Sequence, residues 1–168
     1  GEKCLEVFCE LFPSADLYTL VYAPEKVSAT IRHMTVKTSF ISQLPWAKRA
    51  YRYYLPLFPA AIERFELGAY DLVLSSSHCV AKGILPHRAL HIAYVHAPMR
   101  YVWDLYGDYF GRTPKPIEML ISQAASRLRT WDVAATARVD RIASISHHIA
   151  QRVTRYYRRE STVIYPPV

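Results

Sequence analysis

The sequence predicts an α/β protein whose sheet is Rossmann-like and mainly parallel, with helices on both faces. Apolar runs rich in β-branched and aromatic residues alternate along the chain with segments of helical period. Two of these runs, in residues 70–78 and 91–104, end abruptly in serine, histidine and other polar side chains. Buried parallel strands have this pattern when their carboxyl ends open into a crevice, where open α/β sheets bind ligands.

The ends of these two strands are expected to form one rim. Because the carboxyl ends of parallel strands meet at one edge of a sheet, polar side chains from both runs should lie close together. The rim candidates are Ser76, Ser77, His78, His96, Arg100, Trp103 and Asp104.

The first part of the chain predicts a helix followed by two strands. Residues 1–12 carry apolar side chains at helical spacing, and a proline follows them. Residues 16–23 form an apolar run that Pro24 closes, and residues 25–34 predict an irregular or short helical segment. Residues 35–42 alternate well enough for a further strand.

Residues 46–67 combine a helical period with an interior proline. Pro56 would break a single helix, so two short helices are predicted to meet near Leu55, with Pro56 in the first turn of the second. Three basic residues fall off the apolar face of these helices: Lys48, Arg49 and Arg52.

The last part of the chain predicts a helix, a strand, a second helix and a final strand. A threonine–proline pair at 113–114 is typical of a helix start, and the apolar stripe behind it continues to about Arg138. Residues 141–146 predict a strand, residues 149–159 a helix and residues 162–165 the final strand. Four arginines of the second helix are expected to face solvent: Arg152, Arg155, Arg158 and Arg159.

Composition and charge limit the classes of protein that fit. The 168 residues suffice for about one domain, and the 51% hydrophobic content argues against disorder. Three cysteines without C-x-x-C spacing are interpreted as reduced thiols of a cytoplasmic protein. The net charge is +7, and residues 100–168 hold eleven basic against six acidic side chains. Such a surface favours phosphate in nucleic acid, anionic lipid or a pyrophosphate-linked substrate.

Several motifs with known chemistry are absent from the sequence. It contains no G-x-x-x-x-G-K-S/T phosphate loop, no G-x-G-x-x-G dinucleotide fingerprint and no G-x-S-x-G nucleophile elbow. The seven histidines are scattered and show no H-E-x-x-H spacing, so no metal site is predicted. With five glycines, the chain has little material for cradling a nucleotide by itself.

The stretches "YDLVLSSSHCVAKG" and "HIAYVHAPMRYVWDLY" resemble the N-terminal half of glycosyltransferase family 4. The similarity is strongest to the mannosyltransferase-like branch that builds bacterial surface polysaccharides, and it extends from "GEKCLEVF" to "VIYPPV". The resemblance implies the acceptor-side Rossmann-like domain of a two-domain GT-B enzyme. It also implies a retaining hexosyl transfer that needs no metal, from a sugar nucleotide to a lipid-linked or polysaccharide acceptor. Mannose from GDP-mannose is the donor that the resemblance favours.

The resemblance also suggests roles for individual residues. A histidine at the end of the strand that contains His96 faces the reaction cleft in similar enzymes and contacts the transferred sugar. The residues alone are equally consistent with a structural role, in which His96 only hydrogen-bonds a neighbouring loop. The loop after His96 lies near the acceptor in similar enzymes. The glycine-rich turn after their first strand, whose end "GEK" resembles, approaches the acceptor or the donor phosphates. The acceptor-site candidates are Gly1, His78, Arg100, Trp103 and Asp104.

The resemblance gives a domain organisation. Residues 1–165 correspond to the acceptor-side domain, and residues 166–168 resemble the start of the hinge that leads to a donor-binding domain. That donor domain lies outside this sequence, so the 168 residues alone are expected to transfer no sugar. Similar enzymes begin with a strand before the glycine-rich turn, so a first strand is expected to be missing, which would leave two strands with unpaired edges.

Residues 46–67 allow two interpretations. They are either two core-packing helices with a solvated basic side, or an interfacial segment that docks on anionic lipid. The membrane-facing candidates are Trp46, Lys48, Arg49, Arg52 and Tyr53. A dock of this kind would give a cytoplasmic protein a peripheral position on the inner face of the plasma membrane.

Two other classes of function remain open at this point. One is a non-catalytic module that docks an anionic membrane or a protein partner through its basic and aromatic surface. The other is a nucleic-acid-binding domain, which only the charge suggests. Because the sequence has no recognition motif and its aromatic residues lie mostly at core spacing, nucleic acid is not expected as a partner.

Overall fold

The computed structural model describes residues 1–103 and 115–167 and confirms the α/β fold. The side chains of Lys48, Ala50, Pro116, Ile117 and Leu120 fall outside this description. The strands are β1 (Asp16–Thr19), β2 (Thr35–Thr38), β3 (Leu72–Ser77), β4 (Leu90–Val95), β5 (Arg141–Ser144) and β6 (Thr162–Val163). The helices are α1 (Glu2–Leu11), α2 (Ala29–Arg32), α3 (Ala47–Ala50), α4 (Phe58–Glu63), α5 (Arg100–Trp103), α6 (Lys115–Ala137) and α7 (His147–Tyr157).

Every strand pair in the described residues is parallel, as the Rossmann-like prediction requires. The strands form a four-stranded sheet in the order β3-β4-β5-β6 and a two-stranded sheet of β1 and β2. In the larger sheet Ser77 lies opposite Val95, and Val95 lies opposite Ser144. The carboxyl ends of β3, β4 and β5 therefore reach the same edge of the sheet.

Alternation along β4 separates the two faces of the larger sheet, because successive strand residues point to opposite faces. Ala93 and Val95 are fully buried and pack against the apolar side of α7. Tyr94 packs with Cys4 and Phe8 of α1 on the other face. The larger sheet thus has α7 on one face and α1 on the other.

A second core connects the smaller sheet to the rest of the protein. It contains Ile41, α4 residues such as Phe58 and Ile62, and α6 residues such as Leu128. Leu20, which follows β1, and Val73 of β3 both pack against this core. The two sheets therefore share one apolar layer.

The structure corrects four local predictions. Pro56 lies inside a 3₁₀ segment, Tyr51–Leu57, and the next helix begins at Phe58 with Pro59 in its first turn, where the fixed φ of proline fits. The strands predicted over residues 16–23, 35–42, 141–146 and 162–165 end earlier, at Thr19, Thr38, Ser144 and Val163. The last helix begins at His147 rather than Ile149 because the Ser146 hydroxyl caps it by accepting from the Ile149 amide.

The fourth correction concerns the arginines at the end of that helix. Arg159 does not face solvent as predicted, because its guanidinium donates to the backbone carbonyls of Thr136, Ala137 and Val139. These carbonyls follow or end α6, where no further α-helical turn supplies donors, although the Thr136 carbonyl also accepts from the Val139 amide. Arg159 therefore joins the end of α7 to the end of α6. The predicted cap at residues 113–114 lies outside the described residues.

Candidate functional site

His96 lies at the carboxyl end of β4, where the sequence predicts the site. Its backbone amide donates to the Ser77 carbonyl at 2.8 Å, which continues the ladder between β3 and β4. Its ring Nε2 lies 2.8 Å from the hydroxyl oxygen of Ser76. Backbone and side chain are thus both held by β3, so the imidazole has a fixed orientation at the rim.

The surroundings of His96 keep its imidazole neutral. Its pKa is lowered to about 4, mainly by burial and to a smaller extent by nearby His78. The Tyr94 ring meets it edge-on at 5.1 Å between centroids. A neutral imidazole has one nitrogen that donates and one that accepts. Because Nε2 is paired with Ser76, Nδ1 is the nitrogen that can reach a ligand, and no hydrogen bond joins it to the described residues.

His78 and the start of α1 at Gly1 lie within electrostatic range of His96. The His78 side chain is exposed, yet enough protein surrounds its ring to lower its pKa. Gly1 is the N-cap of α1, and no side chain caps that helix. The structure therefore brings together three of the residues that the sequence assigns to the site: Gly1, His78 and His96.

The other predicted rim residues are arranged differently. Arg100 is exposed at the start of α5. Trp103 turns inward, and its indole nitrogen donates to the Asp132 carboxylate at 2.9 Å. One face of the indole stacks on Tyr156, with 4.6 Å between ring centroids. Trp103 therefore has no free N–H for a ligand, and Asp104 lies outside the described residues.

Sequence reasoning did not identify the buried charge pair behind Trp103. The Lys82 ammonium and the Asp132 carboxylate form an ion pair in which the two side chains are 1% and 0% exposed. The Tyr157 hydroxyl also donates to Asp132, at 2.6 Å, and burial raises the pKa of that phenol. The sequence held a signal, since Lys82 interrupts an apolar stretch and Asp132 follows Leu128 by one helical turn.

A second serine–histidine pair lies on the opposite face of the same strands. His91 is fully buried, and its Nε2 lies 2.9 Å from the Ser75 hydroxyl oxygen. Burial lowers its pKa to about 4, so this imidazole is also neutral. Its Nδ1 has no hydrogen-bond partner among the described residues. The alternation of β3 thus gives one buried serine–histidine pair and one at the rim, and only the rim pair is accessible to a ligand.

Residues 46–57 present aromatic side chains to solvent. Trp46 is 81% exposed and Tyr53 is 86% exposed, so neither packs in the core. Arg49 is exposed as well, and the Arg52 guanidinium lies 5.9 Å from the centre of the Tyr51 ring. The interpretation of this segment as core-packing helices is therefore wrong for Trp46 and Tyr53, although it holds for Phe58 and Ile62.

Three further findings bear on function. Within the described ranges, no group of three or more His, Cys, Asp or Glu side chains could hold a metal ion. None of the helices in those ranges combines the length and apolarity needed to cross a membrane. Comparisons with family models, curated proteins and solved structures find no match to this chain.

Proposed function

We propose that this chain is the acceptor-binding domain of a retaining hexosyltransferase, with mannose from GDP-mannose as the favoured donor. The acceptor is a lipid-linked glycan or a growing polysaccharide. In this proposal the His96 imidazole contacts the transferred sugar, and the rim formed with Gly1 and His78 holds the acceptor. The donor is bound mainly by a second domain, in accordance with the family resemblance of the sequence.

The observation that carries the proposal is the neutral, oriented imidazole of His96 at the carboxyl edge of the sheet. Its Nε2 is engaged by Ser76, which leaves Nδ1 for a sugar hydroxyl. A pKa of about 4 keeps the ring uncharged at neutral pH, as a hydrogen-bonding partner for hydroxyl groups requires. Positive charges that suit a pyrophosphate are supplied by exposed Arg100, which follows His96 in the sequence, and by the amino end of α1.

Calorimetric titration with farnesyl diphosphoryl glucose, a short-chain lipid-linked sugar, tests the proposal. The wild-type chain is expected to bind this ligand. His96→Ala is expected to bind the ligand at least about tenfold more weakly, because one hydrogen bond to a neutral group contributes about 1 kcal/mol and its loss leaves polar groups unpaired. His33→Ala is the matched control, because His33 is exposed next to the amino end of β2. Equal binding by both variants and the wild type would refute the assignment of His96.

A second candidate function rests on the exposed aromatic residues of residues 46–57. Trp46 and Tyr53, with Arg49 and Arg52 beside them, have the composition of a surface that lies at the level of lipid headgroups. This surface would serve a non-catalytic module that binds anionic membrane or a protein partner. It would equally hold a transferase against the membrane that contains its lipid-linked acceptor.

Sedimentation with vesicles, combined with the calorimetric titration, separates these two functions. Replacing Lys48, Arg49 and Arg52 together by glutamate is expected to weaken binding to phosphatidylglycerol vesicles at least about tenfold, because each basic residue contributes about 1 kcal/mol near an anionic surface. A module without a sugar acceptor would bind these vesicles and would not bind farnesyl diphosphoryl glucose in the calorimeter. Unchanged sedimentation of the triple variant would exclude this surface as a membrane dock.

A further inference from the structure

Ser76 and His96 lie on the same face of the larger sheet and contact each other. Ser76 of β3 is paired with Tyr94 of β4. The His96 amide donates to the Ser77 carbonyl, so the strand pairing continues beyond β4, and His96 is the next residue after Tyr94 that points to this face. The register of β3 and β4 therefore brings the Ser76 hydroxyl oxygen to 2.8 Å from His96 Nε2, as expected for diagonal neighbours on adjacent strands.

The hydrogen bond between these two side chains has two possible directions. The serine hydroxyl can donate to a bare Nε2, or a protonated Nε2 can donate to the hydroxyl oxygen. Among the described residues, His96 Nε2 is the only acceptor within hydrogen-bond distance of the half-buried Ser76 hydroxyl. If Nε2 carried the proton, the hydroxyl proton would have no acceptor in that part of the chain. The arrangement that pairs every donor has Ser76 donating to His96.

The direction of this hydrogen bond fixes the position of the ring proton. The His96 imidazole is neutral because burial lowers its pKa to about 4, and a neutral ring carries one proton. A bare Nε2 places that proton on Nδ1. The hydroxyl of the neighbouring Tyr94 is engaged elsewhere, since it donates to the Ile164 carbonyl at 2.8 Å. His96 therefore presents an N–H group to a ligand, and this nitrogen can only donate.

We propose that Ser76 is a positioning residue that holds His96 in the Nδ1–H tautomer, so that His96 donates a hydrogen bond to an oxygen of the bound sugar. The ligand in this statement rests on the proposed function, whereas the tautomer is a property of the chain without ligand. An Nδ1 that carries the proton has no free lone pair, so it cannot remove a proton from a sugar hydroxyl. It can stabilise negative charge that develops on an oxygen during transfer.

A second pair in the same strands provides an internal control. Ser75 precedes Ser76 in β3 and points to the opposite face, where its hydroxyl oxygen lies 2.9 Å from His91 Nε2. His91 is fully buried, whereas His96 is only half-buried and can reach a ligand. The two pairs share one type of contact and differ in exposure. A change confined to His96 can therefore be attributed to Ser76 and not to a general loosening of β3.

Nitrogen NMR of the histidine side chains tests the tautomer without any ligand. In a long-range proton–nitrogen correlation spectrum, a protonated ring nitrogen and a bare one have well-separated chemical shifts. Comparison with the spectrum of His96→Gln identifies the His96 signals. We expect a protonated Nδ1 and a bare Nε2 for His96 in the wild-type chain at neutral pH. The reverse pattern, or a mixture of both tautomers, would overturn the proposal.

Three serine variants test whether Ser76 sets the tautomer, after amide spectra have established that each variant is folded. Ser76→Ala removes the donor to Nε2, so both tautomers of His96 should become populated. Ser76→Thr keeps a hydroxyl in a strand position that suits threonine, and it should restore the wild-type pattern. Ser75→Ala should alter the signals of His91 and leave those of His96 unchanged. An unaltered His96 pattern in Ser76→Ala would overturn the assignment of Ser76.

Titration with farnesyl diphosphoryl glucose connects the tautomer to binding. The Nδ1–H signal of His96 should shift while the nitrogen stays protonated, and farnesyl diphosphate, which lacks the sugar, should not shift it. Ser76→Ala should bind the glucose ligand about fivefold more weakly, the equivalent of one neutral hydrogen bond, and Ser76→Thr should restore the affinity.

The outcomes of this titration separate the two proposals. Equal affinity of Ser76→Ala and the wild type, or binding without a shift of Nδ1–H, would overturn the role of Ser76 in holding the sugar. A shift with farnesyl diphosphate alone would assign the accepting oxygen to the phosphate and overturn the sugar contact. The expected tautomer with no binding of either ligand would refute the proposed function and the sugar contact, and it would support the control of the His96 tautomer by Ser76.

Discussion

Replacing Asp132 by asparagine is expected to destabilise this protein strongly, although the substitution keeps the shape of the side chain. The Asp132 carboxylate is fully buried and accepts from Lys82, Trp103 and Tyr157. Asparagine has the same shape but removes the negative charge. The Lys82 ammonium, which is 1% exposed, would then be a buried charge without a counter-charge.

The structure gives the magnitude of this effect. Breaking a buried ion pair by neutralising one partner costs about 3–5 kcal/mol, because the other charge remains desolvated. A domain of this size loses roughly 2–4 °C in Tm for each kcal/mol, so Asp132→Asn should lower Tm by roughly 6–20 °C. Because whole domains have stabilities of about 5–15 kcal/mol, a substantial fraction of the variant could be unfolded at 37 °C.

Urea unfolding followed by near-ultraviolet circular dichroism measures the loss. The control is Lys37→Met, which breaks a pair with Asp16 whose side chains are 46% and 24% exposed, so it should destabilise far less. The double variant Lys82→Met with Asp132→Asn should recover part of the loss, since it removes the uncompensated charge. A loss in Asp132→Asn below about 1 kcal/mol, with an unchanged m-value, would refute this account of the pair.

Three further predictions follow from burial and close packing. Acidification from pH 6.5 to 4 should lower the free energy of unfolding by on the order of 3 kcal/mol through His91. The folded-state pKa of His91 is about 4, below the ordinary 6.5, so the unfolded state binds the extra proton in that pH window. Histidine resonances in an NMR titration should locate that pKa, and a value near 6.5 would contradict the prediction. Gly83→Ala should destabilise the protein by about 1–3 kcal/mol in thermal unfolding, because a Cβ at this position would overlap the Trp131 indole. An unchanged Tm would show that the indole moves aside freely. Arg159→Met should lower Tm because it removes the guanidinium that donates to the carbonyls of Thr136, Ala137 and Val139, whereas Arg158→Met, at an exposed position, should leave Tm nearly unchanged.

The parts of the fold that follow from local sequence pattern were predictable. The apolar runs of β3 and β4 and the stripe of α6 have periods that identify strand and helix directly, and the structure confirms them. The ends of elements were not predictable to the residue, because they depend on single hydrogen bonds. Because the Ser146 hydroxyl accepts from the Ile149 amide, α7 begins at His147, two residues earlier than predicted.

The candidate site was predictable only where strand order dictates it. His78 and His96 follow two neighbouring parallel strands, so the sequence places them at one edge. The inward turn of Trp103 depends on Asp132, which lies 29 residues further along the chain. Such a pairing leaves no periodic signal. Trp46 is exposed and has a left-handed backbone conformation, with φ of 54°, and no apolar pattern specifies either feature.

The rim formed by His96, Gly1 and His78 is proposed to hold the sugar of a lipid-linked acceptor. A crystal structure of the chain with farnesyl diphosphoryl glucose tests it most directly. The proposal predicts the sugar at the carboxyl ends of β3 and β4, with a hydroxyl within hydrogen-bond distance of His96 Nδ1 and the pyrophosphate toward Gly1. A ligand bound only against Trp46 and Tyr53, with the rim empty, would contradict it.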